Sequence, residues 1–286
     1  MQDTDADTVL QEYSRLIREE ACASGSGWDA GSLKAGVDLG TSNIVLTVVD
    51  ADDNPVTGAT YPSTVVGDGV VVDYIGAVSA VRRLKAQVEE RLGCELTSAG
   101  TAIPPGIHPG NVRSISNVVE AAGFEVADIT EEPTAAARLL GVRDGAIVDV
   151  GGGTTGISIL RDGEVVFTAD EATGGTHMTL VLAGAYGVSF EEAEILKKDI
   201  ARADDVFAVV RPVVEKMAEI VTRFIRGYEV ETIHVVGGAC SFDAFEQVFR
   251  KQTGRTVIKP AAPLLVTPLG IAMYGASGNS AGRIAA

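Results

Sequence analysis

The sequence predicts a mixed α/β fold made of two repeated halves, each a sheet with covering helices. Three observations carry this. Each half opens with a short apolar run ending in aspartate, follows it with a Gly/Thr turn, and continues into a second apolar run: Ala35-Gly-Val-Asp-Leu-Gly-Thr-Ser42 and Ala146-Ile-Val-Asp-Val-Gly-Gly-Gly-Thr-Thr155. The runs have the length and two-residue alternation of strands, and charged stretches with helical spacing stand between them. The order of elements in the first half then recurs in the second, the mark of an internal repeat.

In chain order, residues 1–34 read as a separate piece. Val9, Leu10, Tyr13, Leu16 and Ile17 recur at helical spacing over residues 5–21, and a Gly/Ser-rich stretch, residues 23–32, follows. An apolar stripe must be buried somewhere: it packs on the body, or it docks to a partner across a flexible tether. A helix this short is marginal alone, and the docking segment is the expectation carried forward.

Strands are expected at residues 35–38, 44–49, 64–66 and 70–73, then a charged helix over 77–92. Residues 99–103 form another apolar strand, 111–122 a helix, 125–129 a strand, and 133–140 a helix with Pro133 in its first turn, where a missing N–H costs nothing. The second half restarts with strands at 145–150, 156–160 and 165–169, the last two joined across Asp162-Gly163, a hairpin-turn dipeptide.

Composition bounds the function. The 286 residues are 46% apolar and 22% charged, values of a globular chain with a sizeable core. Lys and Arg total 23 against 39 Asp and Glu, and a net charge of -16 repels phosphate backbones and anionic lipid, so neither nucleic acid nor membrane is an expected partner. Cys22, Cys94 and Cys240 form no CxxC pair and fit a reducing compartment. The longest apolar stretch, 261–276, is interrupted by Pro263 and Pro268, and the acidic N-terminus is unlike a signal peptide, which makes the cytoplasm the expected location. His108, His177 and His234 are scattered without ligand spacing, and Cys240 has no neighbouring base, so none is given a catalytic or metal role.

The chemistry concentrates in the two turns. Residues 40–43 and 151–155 lie between strands, and no GxxxxGK[ST] or GxGxxG is present. Glycines let backbone N–H groups surround an anion, and flanking Thr and Ser add donors. Each turn follows a buried-looking aspartate, costly to bury unless a cation meets it. Asp38 and Asp149 facing one another make a site for a hydrated Mg2+ that in turn holds phosphates.

The turn at 40–43, Glu132-Pro-Thr-Ala-Ala-Ala137, the turn at 151–155 and Val235-Val-Gly-Gly-Ala239 resemble, in the family's order, the phosphate 1, connect 1, phosphate 2 and adenosine motifs of the actin, sugar-kinase and heat-shock-chaperone ATPase superfamily. Within it, residues 74–78, Ala169-Asp-Glu-Ala-Thr-Gly-Gly175 and Phe190-Glu-Glu-Ala-Glu194 resemble the EutJ family of ethanolamine-utilization proteins, encoded in bacterial microcompartment operons. The resemblance implies two actin-like, ribonuclease-H-like domains, 35–145 and 146–267, with a nucleotide cleft between them, reduced B subdomains and a C-terminal helix, 268–286, returning to the first domain.

By the same resemblance, Asp38 and Asp149 would hold Mg2+ through water, and Gly40, Thr41, Ser42 and Asn43 would face Gly151, Gly152, Gly153, Thr154 and Thr155 across the phosphates. Glu132 would orient the attacking water, unless it serves only the dipole of its helix. Glu194 and Lys197, three residues apart on one helix face, would contact ribose and adenine, unless they are a plain surface pair. Gly174, Gly175, Gly237, Gly238 and Ala239 would line the same cleft. Two departures stand out: Cys240-Ser241-Phe242 occupies the stretch where the chaperones have an adenine-stacking arginine, and only Lys85, beside Arg82 and Arg83, is a candidate for their phosphate lysine, with solvated charge the preferred reading.

The function implied is an ATP- and ADP-binding, slowly hydrolysing, chaperone-like or assembly factor, its partner a client, shell or enzyme component of a microcompartment reached through residues 5–21. A small-molecule kinase and a cobalamin-enzyme reactivating factor are the alternatives. The first lacks a spare acceptor aspartate, and an iron–sulfur activator lacks its cysteines.

Overall fold

The computed structural model describes residues 3–24, 28–67 and 70–276. After helix α1 (Asp3–Arg18), the first lobe runs β1 (Lys34–Leu39), β2 (Asn43–Val49), β3 (Pro55–Pro62), the small hairpin β4 (Val66–Gly67) and β5 (Val70–Val71), α2 (Tyr74–Leu92), β6 (Ser98–Ile103), α3 (Pro109–Ala121) and β7 (Glu125–Glu131). Helix α4 (Glu132–Leu140) then leads to β8 (Gly145–Val150), β9 (Thr155–Arg161), β10 (Glu164–Glu171), α5 (Gly175–Tyr186), α6 (Phe190–Lys198), α7 (Ala203–Phe224), β11 (Thr232–Val236), α8 (Phe245–Thr253), β12 (Thr256–Ile258) and α9 (Val266–Ala272).

Each lobe carries a five-stranded sheet of identical plan, in the order β3-β2-β1-β6-β7 and β10-β9-β8-β11-β12. The first three strands of each form an antiparallel meander, and the last two join in parallel. Parallel joins need crossovers, and α2, α3, α7 and α8 supply them, covering the sheets with apolar faces such as Val81, Leu84 and Val88 of α2. The hydroxyls and glycines of the two turns thereby fall at corresponding edges of two like sheets. Between β3 and α2 stands only the β4–β5 hairpin, and between α5 and α7 only α6 and a short 3-10 turn, so the additions to the two-lobe core are small.

Helix ends follow local chemistry. Asp73 caps α2 by accepting from the Gly76 N–H, Ser189 and Glu192 form a reciprocal box at the start of α6, and α2, α4, α5 and α8 each end on a left-handed glycine.

Two expectations need correction. The first sheet has an unforeseen strand, β3, while the strands expected at 64–66 and 70–73 shrink to the two-residue β4 and β5. And the N-terminal stripe is not offered to a partner: Leu10, Tyr13 and Leu16 are 0% exposed, packed where α1 meets β3, α4 and the turn before α9. The Tyr13 hydroxyl bonds to Thr47 Oγ1 in the first lobe, and the Asp7 carboxylate accepts from the Ala261 N–H, 2.8 Å, in the second. A helix with that much apolar surface gains more by covering the gap between lobes than by standing off on a tether. Part of that tether, residues 25–27, lies outside the described residues, as does the end of the expected C-terminal helix, residues 277–286. Within the described residues that helix is shorter than expected: α9 ends at Ala272 and residues 273–276 turn away from helix, while α9 packs on β1, β2 and β6 of the first sheet and against α4.

Candidate functional site

A cavity of about 620 Å³ opens between the lobes, with residues 40–43 on one side and 151–154 on the other. Asp38 and Asp149 sit one residue before the ends of their strands, opposite Val45 and Gly156 in the hairpin ladders. The hairpins approach closely. A Cβ on Gly152 would lie 2.3 Å from Ser42 Oγ and 3.2 Å from Thr41 Cβ, so the lobes touch there only because this residue has no side chain. Gly237 is held at φ +91°, a left-handed conformation, and a Cβ there would meet Asp149 Oδ1 and the Val150 carbonyl at 2.4 Å. Its backbone therefore lies directly against the second aspartate.

Asp38, Asp149 and Glu132, the first residue of α4, all line the cavity. Burial pushes the Asp38 carboxyl up to about 7, with the Asp149 charge adding to it. Asp149 is raised to about 6 by burial, partly offset by the hydroxyl of Thr267, which donates to its Oδ2 at 2.5 Å. Glu132 is held well above the usual carboxylate range by burial and then by Asp149, Asp38 and Asp170. No cationic side chain is among the groups acting on these three carboxyls. They are a set of acids awaiting positive charge.

Toward α6 the cavity is bounded by Glu194 and Lys197. Lys197 Nζ lies 2.6 Å from Glu194, 2.8 Å from Thr179 Oγ1 and 3.1 Å from the Gly175 carbonyl, and the Thr179 hydroxyl contacts Glu194 at 2.6 Å. Burial alone would raise the Glu194 carboxyl, but bonds from Lys197 and Thr179 outweigh it and hold it low. With side chains 24% and 12% exposed, the pair is built into the cleft wall. Gly175, Gly238 and Ala239 line the cavity beside it.

Other predicted residues support the cleft from behind. The Thr155 hydroxyl donates to the Thr173 carbonyl at 2.5 Å, and Gly174 precedes α5, whose first N–H groups bond the carbonyls of Gly151 (2.9 Å) and Gly152 (2.8 Å). Lys85 is neither in the cavity nor a solvated charge: it pairs with Glu89 at 2.6 Å over the Phe124 ring. Arg82 donates to the Ala121 carbonyl and Arg83 lies over Tyr61. His108 caps α3, and burial pushes the Cys240 thiol far up, the opposite of what a nucleophile needs. Among the lining residues that were not anticipated are Thr267 and Phe207. Thr267 is the one hydroxyl in the apolar run from Leu264 to Gly270, a signal the sequence did carry.

Two like lobes, a cleft edged by opposed glycine hairpins and a carboxylate at each define a member of the actin-like ATPase superfamily. The family model of MreB/Mbl proteins matches residues 62–182 and that of the type IV pilus assembly protein PilM residues 135–266. MreB5 of Spiroplasma citri, solved bound to ADP, is 18% identical and shares the fold with a TM-score of 0.66 over 85% of this chain and 95% of that one. Much nearer are the ethanolamine utilization protein EutJ of Salmonella typhimurium, 43% identical over 93% of this chain and 92% of its own, and the crystal structure of EutJ from Carboxydothermus hydrogenoformans, 47% identical with a TM-score of 0.90 over 96% of this chain and 100% of that one. At that identity over nearly the whole length, the chain belongs to the EutJ family of ethanolamine-utilization proteins.

Proposed function

We propose that the cleft binds Mg-ATP and hydrolyses it slowly, and that the protein uses the resulting closure as a chaperone-like or assembly factor of a bacterial microcompartment for ethanolamine utilization, in the cytoplasm. The observation that carries this is the pairing of two glycine hairpins, each with an aspartate lining the cleft, across one cavity. Backbone N–H groups there can hold phosphate oxygens, but three carboxylates repel them, so a polyphosphate enters favourably only with a cation. The donors suit Mg2+: hard carboxylate oxygens, with no set of three converging as direct ligands among the described residues, which leaves room for a hydrated ion. When bound, Mg2+ would neutralise phosphate charge and polarise the γ-phosphoryl.

In this reading Asp38 and Asp149 hold the ion's waters, residues 40–43 and 151–154 cradle phosphates, and Glu132 takes the proton of the attacking water. Burial and the neighbouring carboxylates raise its affinity for a proton, as a base needs. Glu194 and Lys197 face the ribose side. The bound nucleotide of the Spiroplasma citri relative supports the choice of ligand. Closure on the nucleotide would change the surface shown to a partner protein.

Calorimetric titration with ATP, ADP and a non-hydrolysable analogue, with and without Mg2+, tests the reading, together with phosphate release in the absence of any acceptor. Mg-dependent binding and slow phosphate release are expected. Glu132→Gln should keep the binding and lose about 100-fold in hydrolysis. Phosphate transfer only on addition of a small-molecule acceptor would make the protein a kinase instead.

A further inference from the structure

The cleft departs from its superfamily where a base would lie. Past Gly238 the lining includes Ala239, Ser241, Phe242, Asp243 and Ala244, and beside Phe242 lies Phe207 of α7. The two rings are 5.5 Å apart at 50°, an edge-tilted packing in which Phe207, 8% exposed, is anchored in the core of the second lobe and Phe242 faces the cavity. The backbone under Phe242 is fixed too: Lys259 Nζ donates to the Phe242 carbonyl at 2.8 Å and reaches the Ser241 carbonyl at 3.5 Å. The ring is therefore preorganised, and Ile200, 90% exposed, and Leu264, 41% exposed, also line the cavity.

An apolar ring held rigidly in a cleft wall is covered favourably by a flat apolar face. We propose that Phe242, braced by Phe207, is the platform on which the nucleobase of a bound nucleotide stacks. This rests on the nucleotide reading above and adds how the base is read: by a neutral ring, not a cation. Stacking accepts any base with a π-face and rewards the larger ones, so purine nucleotides bind better than pyrimidine nucleotides while ATP and GTP differ little.

The test separates base from phosphate by titrating Mg-ATP and Mg-tripolyphosphate, which has no base, into wild type, Phe242→Ala, Phe242→Leu and Phe242→Trp. Phe242→Leu keeps apolar bulk, so it distinguishes stacking from a packing defect. The alanine and leucine variants should lose roughly tenfold or more in Mg-ATP affinity with tripolyphosphate affinity unchanged, and tryptophan should restore ATP binding. Unchanged ATP affinity in both variants, or equal loss for both ligands, would overturn the proposal. If wild type binds tripolyphosphate and ATP equally, the phosphate reading stands and the platform falls; if it binds neither, the nucleotide reading itself has failed.

Discussion

Asp149 is gripped from three directions: the Thr267 hydroxyl on Oδ2, the Gly237 backbone against Oδ1 and strand β8 behind it. The aspartate was legible as the end of an apolar strand, but its grip was not. Thr267 lies 118 residues further on and only the closing of the fold brings it there. The energetic consequence is a dependence on pH. With folded values near 7 for Asp38 and 6 for Asp149, the native protein keeps protons that the unfolded chain has lost above about pH 4. Stability therefore falls as pH rises from about 4 to the folded values and is level above them. In thermal melts without Mg2+ or nucleotide, the protein should melt higher at pH 5 than at pH 8, and Asp38→Asn should raise the pH 8 melting temperature and shrink the difference. An unchanged difference in the variant would show that the acid pair is not its source.

The element read least well was α1. Its stripe was plain in the residues, yet periodicity shows that a face is buried and not against what. Strand β3 escaped for a related reason: with Pro55 and Pro62 at its ends and Gly58 within, it reads as loop, and it is a strand because β2 offers it an edge to pair with. The same strand supplies α1 with part of its bed. Burying Leu10, Tyr13 and Leu16 contributes roughly 1.5–3 kcal/mol each. Deleting residues 1–24 should thus lower the melting temperature by several degrees or more, and Tyr13→Phe should cost about 1–2 kcal/mol by leaving the buried Thr47 hydroxyl without its partner. Denaturant titration measures both, and a deletion that melts like the full chain would return α1 to the status of a detachable arm.

For the whole molecule, duplication was the readable feature. Two aspartate-ended strands followed by glycine turns imply two like lobes, and the sheets share one strand order and one pattern of directions. What the repeat could not reveal is how near the lobes come. Gly152 against Ser42 sets that limit, so Gly152→Val should wedge the hairpins apart, weaken Mg-ATP binding and enlarge the particle in small-angle scattering, with little change in melting because each lobe keeps its own core. A variant that binds and scatters like wild type would show that the contact yields freely.

The way α1 is held also bears on the order in which the chain folds during synthesis. The helix is made before either lobe, but the hydrophobic cluster it joins includes Val236, Leu265, Val266 and Leu269, and the Ala261 N–H that Asp7 caps lies 254 residues downstream. Until those residues have left the ribosome, the stripe has no complete surface to cover it. A segment made ahead of both lobes is thus among the last to settle, and an interrupted chain ending before residue 261 carries a partly uncovered apolar helix that marks it as unfinished.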